Sequence, residues 1–186
     1  MALAGGKCNS GISMVERGGR KFVERIYETK WWPAQEQEFR LDLKRLASVG
    51  LVPEHELWTF EARPDQIVVA NPWVEIVPLA DLDEAVRYRV YEELLAKVML
   101  LHSSHGAFIT DAHSQNLVAA RKAGGEVMMV VIDGKAAGVG TSLPNAYARL
   151  NVKLRHERVA EHRWFLHEYL KFLEKLGSSE ADAPIS

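Results

Sequence analysis

Asp111 and Asn116 lie five positions apart in "DAHSQN", and the apolar run "EVMMVVID" that follows ends on Asp133, with Gly134 next. Phosphoryl transfer asks little covalent work of a protein. It asks that a triphosphate, its Mg²⁺ and an acceptor hydroxyl be held in line, with one carboxylate beside that hydroxyl. Mg²⁺ takes oxygen ligands and needs only one or two from side chains, because phosphates and waters complete its octahedron. In this reading Asp111 is the base, and Asn116 and Asp133 hold the metal. An Asp-x-x-x-x-Asn pair taken alone is more often a turn or a cap, so the elements around it decide between the two.

Those elements are legible. "GISMVERGGRKFVERIYE" carries two β-favouring runs, 11–17 and 20–28, split by Gly18-Gly19, a hairpin signal because glycine accepts the positive φ of tight primed turns. In "AQEQEFRLDLKRLASVG", Phe39, Leu43 and Leu46 recur at helical spacing and Gly50 marks the stop. "HELWTFEA" and "QIVVANPWVEIVPL" read as strands interrupted at Arg63-Pro64-Asp65 and Asn71-Pro72. From Asp81 a long amphipathic helix is predicted, with Val86, Val90, Leu94, Val98 and Leu101 on one face. "EVMMVVID" is too short for an independent helix and rich in β-branched residues, hence a buried strand. A basic helical region spans about 144–176, and residues 177–186 form a polar tail expected to be disordered.

With 186 residues, 47% hydrophobic and 26% charged, the chain suits one domain or two small lobes. A net charge of −2 gives no global drive toward nucleic acid or membrane, and no nucleic-acid recognition motif is present. The single cysteine, Cys8, cannot form an internal disulfide, and the opening residues do not read as a secretory signal, so a cytoplasmic setting is expected. No apolar run approaches the ~20 residues of a membrane span. "AGGKCNSG", with Gly5, Gly6 and Gly11, is either a phosphate-cradling loop or a loose terminus.

"DAHSQN" followed by "VVIDG" resembles the catalytic loop and metal-binding strand end of the protein-kinase-like superfamily. Within it, the Asp-x-His-x-x-Asn and Ile-Asp-Gly forms with a basic helical tail are most similar to the bacterial YrbL-like family, the PhoP regulatory network proteins. The resemblance spans residues 5 to about 175 and implies an α+β, two-lobed kinase-like fold. Its small N-terminal lobe would cover residues 1–79 and its reduced, mainly helical C-terminal lobe residues 80–176. ATP and Mg²⁺ would bind between the lobes, and the activity implied is phosphoryl transfer to a hydroxyl acceptor, protein or small molecule. Gly6 and Gly11 would cover the phosphates. Arg25 stands where the family carries a strand lysine, with Lys21 as substitute, and Glu36 or Glu38 would be the helix partner. Residues 75–78, with Glu75 and Val77, would offer main-chain groups to the adenine.

The departures from the eukaryotic pattern have consequences. Ile109-Thr110 replaces His-Arg before the catalytic Asp, His113 follows two residues after it as in bacterial small-molecule kinases, and Asp133-Gly134-Lys135 lacks the intervening Phe. Arg25 at the lysine position and the short C-terminal lobe favour an alternative, a pseudokinase or regulatory binding protein acting through a partner interface. The short lobe would expose apolar surface for a homodimer or protein partner to cover. Trp31-Trp32 is a partner-site candidate. His102, His105, Asp111 and His113 lack the spacing of a familiar zinc site. Arg149, Lys153, Arg155, Arg158 and Arg163 make a solvated face, or a surface for an acidic partner or a phosphorylated substrate.

Overall fold

Ala2–Leu3 (β1) pairs antiparallel with Gly11–Arg17 (β2), which turns through Gly18 and Gly19 (φ 56° and 75°) into Arg20–Glu28 (β3). The structure is a computed structural model describing residues 2–3, 11–28, 36–122, 124–132 and 138–181; of residues 2, 3 and 179–181 it describes the backbone only. The helix Glu36–Ser48 (α1) buries Phe39, Leu43 and Leu46, the spacing seen in the sequence. Gly50, just past its end, takes φ 69°. Thr59–Arg63 (β4) and Gln66–Pro72 (β5) complete an antiparallel sheet ordered β1-β2-β3-β5-β4. "HEL" at 55–57 is a 3₁₀ turn rather than the start of a strand. Its exposed, polar residues have no alternation with which to line a sheet face.

Glu75–Ile76 (β6) pairs antiparallel with Leu117–Arg121 (β8), and β8 with Val127–Val131 (β9). All five residues of β9 are buried, as its unbroken apolar run requires of a strand covered on both faces. Phe108–Ile109 (β7) pairs with Val139–Gly140 (β10). Between β6 and β7 runs Glu84–His105 (α2), ended by Gly106 at φ 59°, whose N–H bonds the His102 carbonyl. Val90, Leu94, Val98 and Leu101 are fully buried, each contributing about 1.5–3 kcal/mol, while Val86 is only half-buried and Tyr91 joins the core.

The basic region is two helices, Leu143–His156 (α3) and Ala160–Ala181 (α4). Ser142 caps α3 by accepting from the Asn145 N–H. The helix α4 continues past Gly177, where the sequence suggested a disordered tail. A Cβ at Gly177 would stand 3.7 Å from the Leu143 side chain, an ordinary contact, where α4 packs on α3.

Contacts divide the chain into two compact units, Met1–Ala47 with Pro53–Val74, and Ser48–Val52 with Glu75–Ser186. The first closes at Val74, a few residues before the boundary expected near 79, because β6 is hydrogen-bonded into the β6-β8-β9 sheet of the second. Ser48–Val52 is tied to the second unit by the Val131 N–H donating to the Leu51 carbonyl at 2.8 Å, with Leu51 fully buried.

Candidate active site

The loop from Thr110 to Asn116 is fixed by bonds within its own residues, from the helices α3 and α4, and from Glu157 between those helices. The N–H groups of His113 and Asn116 bond the carbonyls of Asp111 and His113, at 3.1 and 2.9 Å, and the Asn116 side-chain amide donates to the Asp111 carbonyl at 3.2 Å. This last bond makes the five-residue spacing structural: it seats the buried Asn116 side chain beside Asp111. The N–H of Ile109, entering the loop, donates to the hydroxyl of the fully buried Tyr169 on α4.

Glu157, between α3 and α4, anchors the middle of the loop. Its carboxylate accepts from the Ser114 N–H and hydroxyl (3.2 and 3.1 Å) and from the N–H groups of Arg158 and Val159 (2.9 and 3.0 Å). Burial acts to raise its pKa, but the Val159 amide and both Ser114 groups outweigh it and hold the carboxyl below the usual range. His162, fully buried on α4, contacts the Ala112 carbonyl through Nε2 at 3.0 Å and the Tyr91 hydroxyl through Nδ1 at 3.2 Å. Burial is the largest influence on its imidazole and lowers its pKa. The sequence pattern did not single out Glu157, Tyr91 or Tyr169 as loop supports, and placed His162 only in a basic helix. The sole local signal is a buried-face position for His162 among aromatic neighbours.

Asp111 is partly exposed. Its Oδ1 contacts the Lys153 ammonium from α3 and lies 3.9 Å from His113 Nε2. Burial is the largest influence on His113 and lowers its pKa, with the Asp111 charge opposing and Lys153 adding to the shift. Lys153 was expected only as one of a row of basic residues.

Asp133 and residues 134–137 lie outside the described residues, but the chain on either side is placed. The Ile132 N–H donates to the Asn116 carbonyl at 3.2 Å, and the Thr110 N–H and hydroxyl both donate to the Gly138 carbonyl. Ile132 therefore lies beside Asn116, and Gly138 beside Thr110 and Asp111. Gly138 has φ 59°, and a Cβ there would stand 2.6 Å from Thr110 Oγ1, so this close approach needs glycine.

Several of the remaining candidates belong to the first compact unit. Arg25 on β3 is buried and its guanidinium donates to Asn71 Oδ1. Glu38 is exposed on α1, and Glu36 pairs with Arg40 at 2.8 Å. Lys21, on the same face of β3 as Arg25, stands over the Trp73 ring at 5.7 Å. Gly11 begins β2; Gly6, Cys8, Trp31 and Trp32 lie outside the described residues. Glu75 pairs with Arg121 at 3.6 Å, and the Val77 N–H is given to the Ala119 carbonyl at 2.9 Å. An adenine edge at 75–78 would have to use main-chain groups other than that one. His102 stacks on Phe108 and His105 bonds the Ser48 hydroxyl.

The structure is similar to "WaaP in complex with acyl carrier protein", with a TM-score of 0.56 at 13% identity, covering 97% of this chain and 82% of that one. WaaP is a kinase of the protein-kinase-like fold. This chain has a kinase-like fold. No protein-family profile and no curated protein matches it in sequence. No helix among the described residues is long and apolar enough to cross a membrane.

Proposed function

We propose that the protein transfers the γ-phosphoryl group of ATP to a hydroxyl acceptor with Mg²⁺, as a minimal kinase-like enzyme of the YrbL-like branch. One observation carries this reading. The loop holding Asp111 and Asn116 is bracketed by Ile132 and Gly138, the two ends of the segment that contains Asp133. Asn116 and Asp133 supply hard oxygen donors, the kind Mg²⁺ takes, and they would hold the ion. Bound Mg²⁺ neutralises charge on the phosphates. Asp111 takes the proton of the acceptor hydroxyl as its oxygen bonds the γ-phosphorus, and ADP leaves. Lys153 holds its ammonium against Asp111 Oδ1. Arg25, or Lys21, supplies the cation for the ATP phosphates, and residues 75–78 meet the adenine.

The test is thermal stability with ATP and Mg²⁺, together and separately, followed in the same samples by labelled-phosphate transfer. A Mg²⁺-dependent rise lost in Asp133→Ala, together with transfer, is the expected result. No rise and no transfer would remove the nucleotide from the reading.

A second reading has its own observation. The ammonium of Lys153 sits on the very carboxylate that must meet the acceptor, and Arg25 is committed to Asn71. A pseudokinase that binds nucleotide and acts through a protein partner would show the stability rise without transfer. WaaP was captured with an acyl carrier protein, and a partner protein here belongs to this second reading.

A further inference from the structure

Resting on the kinase reading, the structure assigns the acceptor a chemical class: we infer that it is a small hydroxy compound carrying a phosphate monoester. Asp111 opens onto a cleft of about 370 Å³, small-molecule size, whose other lining residues are Ala148, Arg149, Val152 and Lys153 of α3. An acceptor hydroxyl must come within hydrogen-bond reach of Asp111, so the rest of the acceptor lies against this wall. Ala148 and Val152 offer it an apolar strip, and Val152 is 52% exposed. Arg149 stands one helical turn from Lys153, about 6 Å along the axis, which separates a hydroxyl at Asp111 from an anion at Arg149 by a short carbon skeleton.

The distribution of ion pairs points the same way. Most other arginines among the described residues meet a side-chain acceptor: Arg17 with Glu24, Arg45 with Asp42, Arg87 with Glu161 and Arg121 with Glu75 are examples. The Arg149 guanidinium, on the wall of the Asp111 cleft, meets no side-chain carboxylate among the described residues. Lys153 also lines a second cleft of about 450 Å³, whose walls include His113, His156, Glu157 and Arg158. Two cations, Arg149 and Lys153, thus share the cleft onto which Asp111 opens, and Lys153 is the one engaged with its carboxylate. A planar guanidinium fork together with an ammonium matches the dianionic oxygens of a phosphate ester. In the reaction the acceptor hydroxyl oxygen bonds the γ-phosphorus, the bond to ADP breaks, the proton passes to Asp111, and the acceptor leaves with a second phosphate.

The experiment has two independent arms on the full chain. In the first, without nucleotide, amide NMR signals of α3 are followed while glycerol 3-phosphate, glucose 6-phosphate, ribose 5-phosphate and phosphoserine are each titrated against their unphosphorylated counterparts at fixed ionic strength. Saturable shifts around Arg149 and Lys153 are expected for at least one phosphorylated member and not for its counterpart. Arg149→Gln should weaken that binding by about 10- to 100-fold, the loss of one charge-assisted hydrogen bond, while leaving the exposed helix face folded. In the second arm, ATP with Mg²⁺ is titrated into the same samples. Phosphorylated compounds that bind no better than their counterparts, or that bind equally to Arg149→Gln, overturn the assignment. A response to the phosphorylated compounds without one to nucleotide leaves an anion site standing and removes the kinase reading beneath it.

Discussion

Asp111 and Gly138 carry the most direct consequences at the scale of single residues. Asp111→Asn keeps the shape of the side chain and the Asn116 bond to the backbone carbonyl, so the loop should stay folded while labelled-phosphate turnover falls about 10²- to 10⁴-fold. Unchanged turnover would remove Asp111 as the base. Gly138→Ala forces a left-handed backbone onto an L side chain and drives its Cβ into Thr110 Oγ1. A loss of roughly 1–3 kcal/mol in urea unfolding is expected, with reduced turnover as the return to Asp111 shifts. Replacing Glu157 by Ala strips the acceptor from Ser114, Arg158 and Val159 together, and about 2 kcal/mol or more should go with it. Glu157→Gln, which retains one carbonyl acceptor, should lose less.

At the scale of elements, His162 on α4 makes the seating of loop 110–116 depend on pH. Its folded-state pKa lies below its ordinary 6.5, so the unfolded chain binds the proton more readily than the folded one. The stability it contributes is therefore complete above about pH 6.5 and is lost as pH falls toward and through the folded value. The thermal midpoint of the wild type should drop between pH 7.5 and pH 5.5 by more than that of His162→Gln, as read by scanning calorimetry; equal drops would place the pH response elsewhere. Elements with strong local patterning were legible in the sequence: Gly18-Gly19 set the hairpin, the Phe39, Leu43 and Leu46 spacing set α1, and the apolar run set β9. The break between α3 and α4 was not. "RHERVAEH" contains neither glycine nor proline, and what ends α3 is the Glu157 carboxylate reaching Ser114, a residue over forty positions away. Arg25 was legible as a strand cation but not as a partner of Asn71, because that contact depends on the β3-β5 register. The pairing of Asp111 with Asn116 was legible because the bond between them is local, whereas Lys153, from a distant helix, was seen only as one charge in a row.

The whole molecule is built from two units whose sequences interleave, since Ser48–Val52 interrupts the first and packs in the second. Leu51 is the fully buried centre of that short stretch. Leu51→Ala should cost about 2–5 kcal/mol in urea unfolding and loosen β9, whose Val131 amide it holds. Hydrogen exchange at Val131 would report the loosening. A chain emerging from the ribosome meets this arrangement in time as well as in space. Leu51 is made eighty residues before Val131, so until the second sheet appears its side chain and carbonyl have no seat. In that interval the nascent chain carries an apolar residue in waiting, and the pace of synthesis between them sets how long a chaperone has to cover it.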